Sequence, residues 1–128
     1  MPQRKKIECF EDLQVWQKGI ALVKEIYLLA NKSGLKQDFG LRDQLRRAAV
    51  SIPTNIAEGF ERFSRKEYVQ FLHIAKGSAG EVRSLLRVAF EVGYLSKGEY
   101  NTLHDAVKQL SGSLANQIKA LKSKEQNG

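Results

Sequence analysis

Leu13-Gln14-Val15-Trp16-Gln17-Lys18-Gly19-Ile20-Ala21-Leu22-Val23-Lys24-Glu25-Ile26-Tyr27-Leu28-Leu29-Ala30 is the stretch on which the fold turns. Leu13, Trp16, Ile20, Val23, Tyr27 and Ala30 recur at alternating steps of three and four. That rhythm puts them on one face of an α-helix, as a seam for other helices. The same spacing returns in three further segments. Leu41, Leu45, Ala48, Ile52, Ile56 and Phe60 carry it first, then Tyr68, Phe71, Ala75, Val82, Leu85 and Ala89. Tyr100, Leu103, Val107, Leu110, Leu114 and Leu121 carry it last. No stretch alternates strictly, as a half-buried strand would. The pattern predicts helices over about 10–31, 39–60, 65–92 and 97–122.

The ends of these segments are marked. Ser64 with Glu67, and Ser96 with Glu99, fit capping boxes, in which the hydroxyl accepts an early helical N–H and the carboxylate reaches back. Gly34 and Gly93 stand where a helix should end on a residue of positive φ. The joints are short, which makes consecutive helices antiparallel neighbours. The expected architecture is all-α, one domain over residues 1–128, an antiparallel up-down-up-down four-helix bundle. The tail after Lys122 is expected to fray. Pro53 falls inside the second helix and removes a backbone donor, so a kink or break is expected there, eased by small Ala49 at i−4. Ala75, Gly77, Ser78, Ala79 and Gly80 face Ser111, Gly112, Ser113 and Ala115 when the last two helices are folded together. Close helix–helix approach is expected between these small patches, since each mid-helix Gly costs up to about 1 kcal/mol against Ala.

The first helix carries more apolar surface than one seam needs. Val15, Leu22, Ile26 and Leu29 form a second stripe, about 120° around from the first at ~100° per residue. A lone bundle is expected to leave this stripe wet, which marks it as an oligomer interface. Ile74 and Val88 look like a weaker counterpart on the third helix.

Composition narrows the function. The chain has 128 residues, 42% hydrophobic and 27% charged, enough to close a core without metal or disulfide. No apolar run approaches the ~20 residues of a membrane span, and no signal peptide is legible, so the expected setting is cytoplasmic, away from membranes. Cys9 is the single cysteine, which rules out an internal disulfide and a cysteine zinc site. The net charge of +7 attracts polyanions without choosing among them, and the excess is spread along the chain rather than gathered in a tail.

Signals for catalysis are weak. His73 and His104 each lack a metal-ligand neighbour at i+3 or i+4, and the Glu-x-x-His pairs of di-iron bundles are missing. No cofactor, metal or catalytic residue is assigned. Asn55, Glu58, Ser78 and Glu81 sit near inner faces and read as a polar network fixing bundle register, with Arg46 or Arg47 as a carboxylate partner. The candidate nucleic-acid contacts are Arg42, Arg46 and Arg47 on the second helix, and Arg62, Arg65 and Lys66 at the following joint. Lys76, Arg83 and Arg87 share one stripe of the third helix, and Lys108, Lys119 and Lys122 lie on the fourth. Without aromatics interleaved among them, binding is expected to be led by the phosphate backbone and weakly sequence-specific.

Three stretches carry a family resemblance: Phe10 to Gln17, Gln44 to Gly59, and Phe71 to Ser78 followed by Glu81. Together they closely resemble a bacterial four-helix bundle family whose founding members are encoded in intervening sequences of large-subunit ribosomal RNA. The family looks related to the accessory variability protein of diversity-generating retroelements. The resemblance spans about residues 8–122 and implies a ring-like homopentamer. The accessory relative is basic, binds nucleic acid and partners a reverse transcriptase. The family's Asn and Glu carry over to Asn55 and Glu58, and its Gly-Ser and later Glu to Gly77, Ser78 and Glu81, with Thr54 where a Ser is usual. The leading expectation is a non-enzymatic homo-oligomer that binds RNA or DNA, alone or within a larger ribonucleoprotein. The rival is a protein-interaction scaffold without nucleic-acid binding.

Overall fold

The structure, a computed structural model, describes residues 6–32 and 34–127, with side chains as far as Lys124. A short 3-10 turn at Phe10–Asp12 leads into four helices: α1 (Gln14–Ala30), α2 (Phe39–Phe60), α3 (Arg65–Glu91) and α4 (Lys97–Asn127). No strand occurs among the described residues. α2 packs closely on α1 and α3, and α3 on α4, while the α1/α4 seam that closes the bundle is more open.

Local chemistry sets the ends. At α3 the Ser64 hydroxyl accepts from the Glu67 N–H at 3.1 Å and donates to its carboxylate. At α4 the box is complete, with Glu99 N–H to Ser96 Oγ at 3.1 Å and Ser96 N–H to Glu99 Oε1 at 2.9 Å. Gly34 and Gly93 take positive φ, at 66° and 87°. Asp38 caps α2 by accepting from the Leu41 N–H, and its other oxygen accepts from the Tyr94 hydroxyl at 3.0 Å. A side chain at Gly34 would meet the Tyr94 ring at 2.5 Å, so glycine there serves both the turn and the close approach. α4 runs on to Asn127, past the point where fraying was expected, and Gly128 lies outside the described residues.

The core is aliphatic. Ile26, Leu45, Ile52, Ile56, Leu72, Leu86, Leu110 and Leu114 are fully buried, each contributing about 1.5–3 kcal/mol of apolar burial. No polar or charged residue is fully buried among those described.

This core corrects the expectation for α1. Val15, Leu22, Ile26 and Leu29 retain 7%, 4%, 0% and 4% of their exposure within a single chain. They are the helix's inward face and offer nothing to a sister copy. Trp16, Ile20 and Val23 take the boundary instead, and Tyr27 is exposed. Both stripes have the same spacing, so rhythm could not rank them. Fit at Gly19 agrees with the outcome: a Cβ there would lie 3.4 Å from the Pro53 ring, so α1 rides on α2 along the stripe that contains this glycine. Slim aliphatic side chains fill the inside, and Trp16 packs its bulk against Phe10 on the edge, the two rings tilted with centroids 5.4 Å apart.

Two further expectations change. α2 runs through buried Pro53 without the break that was one of the two outcomes expected, with fully buried Ala49 at i−4. The mid-helix glycines are not packing sites, since a Cβ at Gly77, Gly80 or Gly112 would find nothing within 4 Å. The close approach lies instead at Gly59, where a Cβ would come within 2.7 Å of Phe71 Cβ and 3.0 Å of the Tyr68 ring.

Candidate nucleic-acid interface

The basic candidates separate into two groups once their surroundings are known. Arg42 lies over the Phe39 ring at 4.7 Å and pairs with Asp43 at 3.0 Å. Arg46 lies over Tyr27 at 4.9 Å, makes a long 3.5 Å contact to Asn31, and has its Nε buried without a hydrogen-bond partner. Arg62 lies over Phe71 at 4.9 Å and pairs with Glu58 at 2.8 Å. Arg87 lies against the stacked Phe90 and Tyr100 rings, at 5.8 and 5.7 Å from their centroids, and pairs with Glu91 at 2.7 Å. Tyr100 first, and then Glu91, push the Arg87 guanidinium's pKa up, so it stays charged. These four arginines are already held by aromatic faces, three of them also by carboxylates. Such cation–π contacts are worth about 0.5–1 kcal/mol at exposed sites.

Arg47, Arg65, Lys66, Lys76, Arg83, Lys119 and Lys122 are different: all are exposed, and none has an ion-pair partner among the described residues. Most of them fall along the α3/α4 seam. Arg87 fixes the side, because it reaches Tyr100 of α4. Arg65, Lys76 and Arg83 stand on the same stripe at spacings of eleven, seven and four up to Arg87. On α4, Tyr100 stacks on Phe90 at 4.8 Å and marks the matching edge, which His104, Lys108, Ala115, Lys119 and Lys122 continue. From Tyr68 to Phe90 the sole acid is Glu81, and from Ala106 to Lys124 there is none. At about 1.5 Å per residue the α3 stripe is roughly 33 Å long. That approximates one helical turn of duplex DNA, about 34–36 Å.

The polar network forms in part. Asn55 donates to the Ser51 carbonyl and hydroxyl at 2.8 and 2.9 Å, and the Ser51 and Ser78 hydroxyls meet at 2.8 Å. Asn55 and Ser78 are thus joined across α2 and α3, through a serine that the sequence reading did not single out. Its signal was its place one helical turn before Asn55. Glu58 and Glu81 are exposed, so the inward carboxylates and their arginine partner do not materialise.

On the opposite side, a groove of ≈ 440 Å³ runs between α1 and α2. Phe10, Trp16, Ile20, Val23, Val50, Pro53 and Ala57 line it, with Thr54, Glu58 and Glu61 at its border. This is the apolar surface that α1 keeps outside.

Groups able to do chemistry are scattered. His73 is exposed, and His104 lies beside Asp105 at 3.3 Å. The Cys9 thiol donates to Asp12, and that bond pushes its pKa up, which lowers its thiolate fraction. Burial pushes Tyr68 up against the pull of nearby Gln117, and its hydroxyl has no hydrogen-bond partner. Among the described residues no three His, Cys, Asp or Glu side chains are grouped to hold a metal ion, and no helix is long and apolar enough to cross a membrane.

Comparison with known proteins matches residues 11–116 to the family model described as 23S rRNA-intervening sequence protein. No curated protein matches the chain. Among solved structures, the fold is similar to a protein of unknown function from the S23 ribosomal protein family of Bacteroides thetaiotaomicron. The two share a TM-score of 0.75 and 24% identity, over 82% of this chain and 95% of the other. At that identity the likeness speaks for the fold.

Proposed function

The chain belongs to the 23S rRNA-intervening sequence protein family, and from that premise we propose that it is a non-enzymatic, cytoplasmic, self-assembling protein that binds RNA or DNA along the α3/α4 face. One observation carries the reading: Arg65, Lys76 and Arg83 are unpaired cations in line with the α4 lysines, with Glu81 as the sole acid on α3 from Tyr68 to Phe90. Contacts to phosphates from such a stripe position a nucleic acid without reading its bases. The scattered histidines and the raised Cys9 pKa support the non-enzymatic part.

Self-assembly, including the ring-like homopentamer implied by the family resemblance, needs an apolar surface that is still outside. The α1/α2 groove around Trp16, Ile20 and Val50 takes the place of the buried stripe. Repetition of the basic face around such an assembly multiplies weak phosphate contacts. A larger ribonucleoprotein, including one built around a reverse transcriptase, is the setting in which we place it. The same groove also supports the rival reading, a scaffold that binds only protein.

Salt decides between them. Binding to a labelled 20-mer duplex, followed by anisotropy, should weaken steeply as salt rises, with each phosphate contact adding about −0.9 to the log–log slope. Absence of binding at ~50 mM salt, or a constant indifferent to salt, leaves the scaffold reading. Light scattering tests the groove: Ile20→Asp should lower the assembled mass, and a wild-type protein of one-subunit mass removes self-assembly.

A further inference from the structure

Phe63 is 107% exposed, on the joint between α2 and α3. It is an outlier among the aromatics of this chain. Phe10, Trp16, Phe60, Tyr68, Phe90 and Tyr100 pack on other rings. Phe39, Tyr27 and Phe71 lie under arginines, and Tyr94 bonds Asp38. Phe63 has neither ring, cation nor hydrogen bond among the described residues. Ser64 next to it is fixed as the α3 cap, so the joint that presents the ring is held in place.

Its position connects it to the basic face. Arg65, two residues on, begins the stripe that continues through Lys76 and Arg83, and Lys66 follows as a second unpaired cation. Beside the ring lies a depression of ≈ 390 Å³ bounded by Glu58, Glu61, Arg62, Phe63 and Glu67. Glu58 is neutralised by Arg62, and Glu67 is occupied with the Ser64 hydroxyl. Glu61 has no ion-pair partner among the described residues. An aromatic face, an acceptor beside it and cations behind it are what a nucleobase needs. The ring stacks on the base, a carboxylate can accept from an exocyclic amino group, and the cations take the phosphates.

We propose that Phe63 and its flanking residues form a stacking site for an unpaired nucleobase, so that the protein engages nucleic acid where a strand runs single or leaves a duplex. This rests on the reading of the α3/α4 face as the phosphate track. Bases inside an intact duplex present no free face to the ring, so the duplex uses the track alone.

The test compares Phe63→Ala, Phe63→Tyr and the double variant Lys76→Glu/Arg83→Glu with the wild type. The ligands are a 20-nucleotide single strand carrying 2-aminopurine and a blunt duplex of equal length. Circular dichroism should show the three variants folded, since all three positions are exposed. Phe63→Ala should weaken single-strand binding about tenfold and duplex binding by less than about twofold, and it should abolish the stacking quench of 2-aminopurine that Phe63→Tyr retains. Equal losses on both ligands, or none on either, overturn the stacking site. If Lys76→Glu/Arg83→Glu weakens binding while Phe63→Ala does not, this inference falls and the phosphate track stands. If the wild type binds neither ligand at ~50 mM salt, both fall. An effect of Phe63→Ala confined to vesicles of anionic lipid also overturns it, in favour of a membrane contact.

Discussion

Along α1/α2 the side chains that border the core are Trp16, Ile20, Val23 and Val50, whereas along α3/α4 they include Lys76, Arg83, Lys108 and Lys119. Both faces rest on one aliphatic interior. The first leaves apolar surface outside, and Arg46 there lies over the Tyr27 ring. The second places unpaired cations outside, separated by small residues such as Gly80 and Ala115. A seam with the same rhythm can therefore be finished for a greasy partner or for a charged one. The difference lies in the residues one position off the seam.

The sharpest way to break this contrast is to attack the layer beneath the groove. Ile26→Asp places a carboxylate where nothing is exposed and no partner waits. It should cost more than about 4 kcal/mol and abolish the cooperative thermal transition in circular dichroism. A folded variant with only its mass altered would return that stripe to the surface and undo the comparison. On the charged face, Lys76→Glu/Arg83→Glu should weaken duplex binding by about 10- to 100-fold and flatten the salt slope by roughly two. Its unfolding free energy in urea should stay within about 0.5 kcal/mol of wild type, because neither residue pairs with another described residue. A large stability loss would mean the cations serve the fold.

The glycines sharpen the contrast between inner and outer positions. Gly59→Ala should cost about 1–3 kcal/mol, because Phe71 and the backbone oxygen of Tyr68 must shift. Gly77→Ala should gain up to about 1 kcal/mol, since it adds helix propensity in open space. Urea unfolding of the pair should give opposite signs; equal signs would mean the packing at one site is misread.

The smallest effect lies on the α1/α4 seam. Lys32 first, and then the Ser96 N–H, hold the Glu99 carboxyl below its ordinary value of 4.5. A depressed carboxyl stabilises the fold fully above its unfolded value and loses that contribution as pH falls through its folded value. Exposure limits the contribution of the pair to under about 1 kcal/mol. Glu99→Gln should therefore be slightly less stable than wild type at pH 7, and the two should converge in acid. A gap that persists below pH ~3 would assign the effect to the cap alone.

Much of the fold was legible because its signals are local. Ser64, Ser96, Gly34 and Gly93 act within a few residues of themselves, and period alone placed four helices. The choice between Leu22 and Ile20 as the inner residue was not local. It depended on how Gly19 fits Pro53 from another helix. The polar network was half legible for the same reason: Asn55 and Ser78 lay on the right faces, but Ser51 joins them only after α2 and α3 meet. Among the arginines, Arg62 with Glu58 and Arg87 with Glu91 stand at i,i+4, a legible pairing signal that a count of net charge leaves out. Phe63 had a visible signal, an aromatic off the rhythm between Arg62 and Ser64, that charge counting passed over.

Tyr94 reaching Asp38, with Lys32 on Glu99 beside it, buckles the two loops at one end of the rods. At the opposite end Arg62 over Phe71 and Phe60 against Tyr68 tie α2 to α3 within one hairpin. Parting the first end therefore means separating two loops far apart in sequence, whereas the Phe63 end is secured by neighbours of a single corner. Removing the Tyr94 hydroxyl would thus loosen one end of the rods and leave the corner that carries Phe63 as it is.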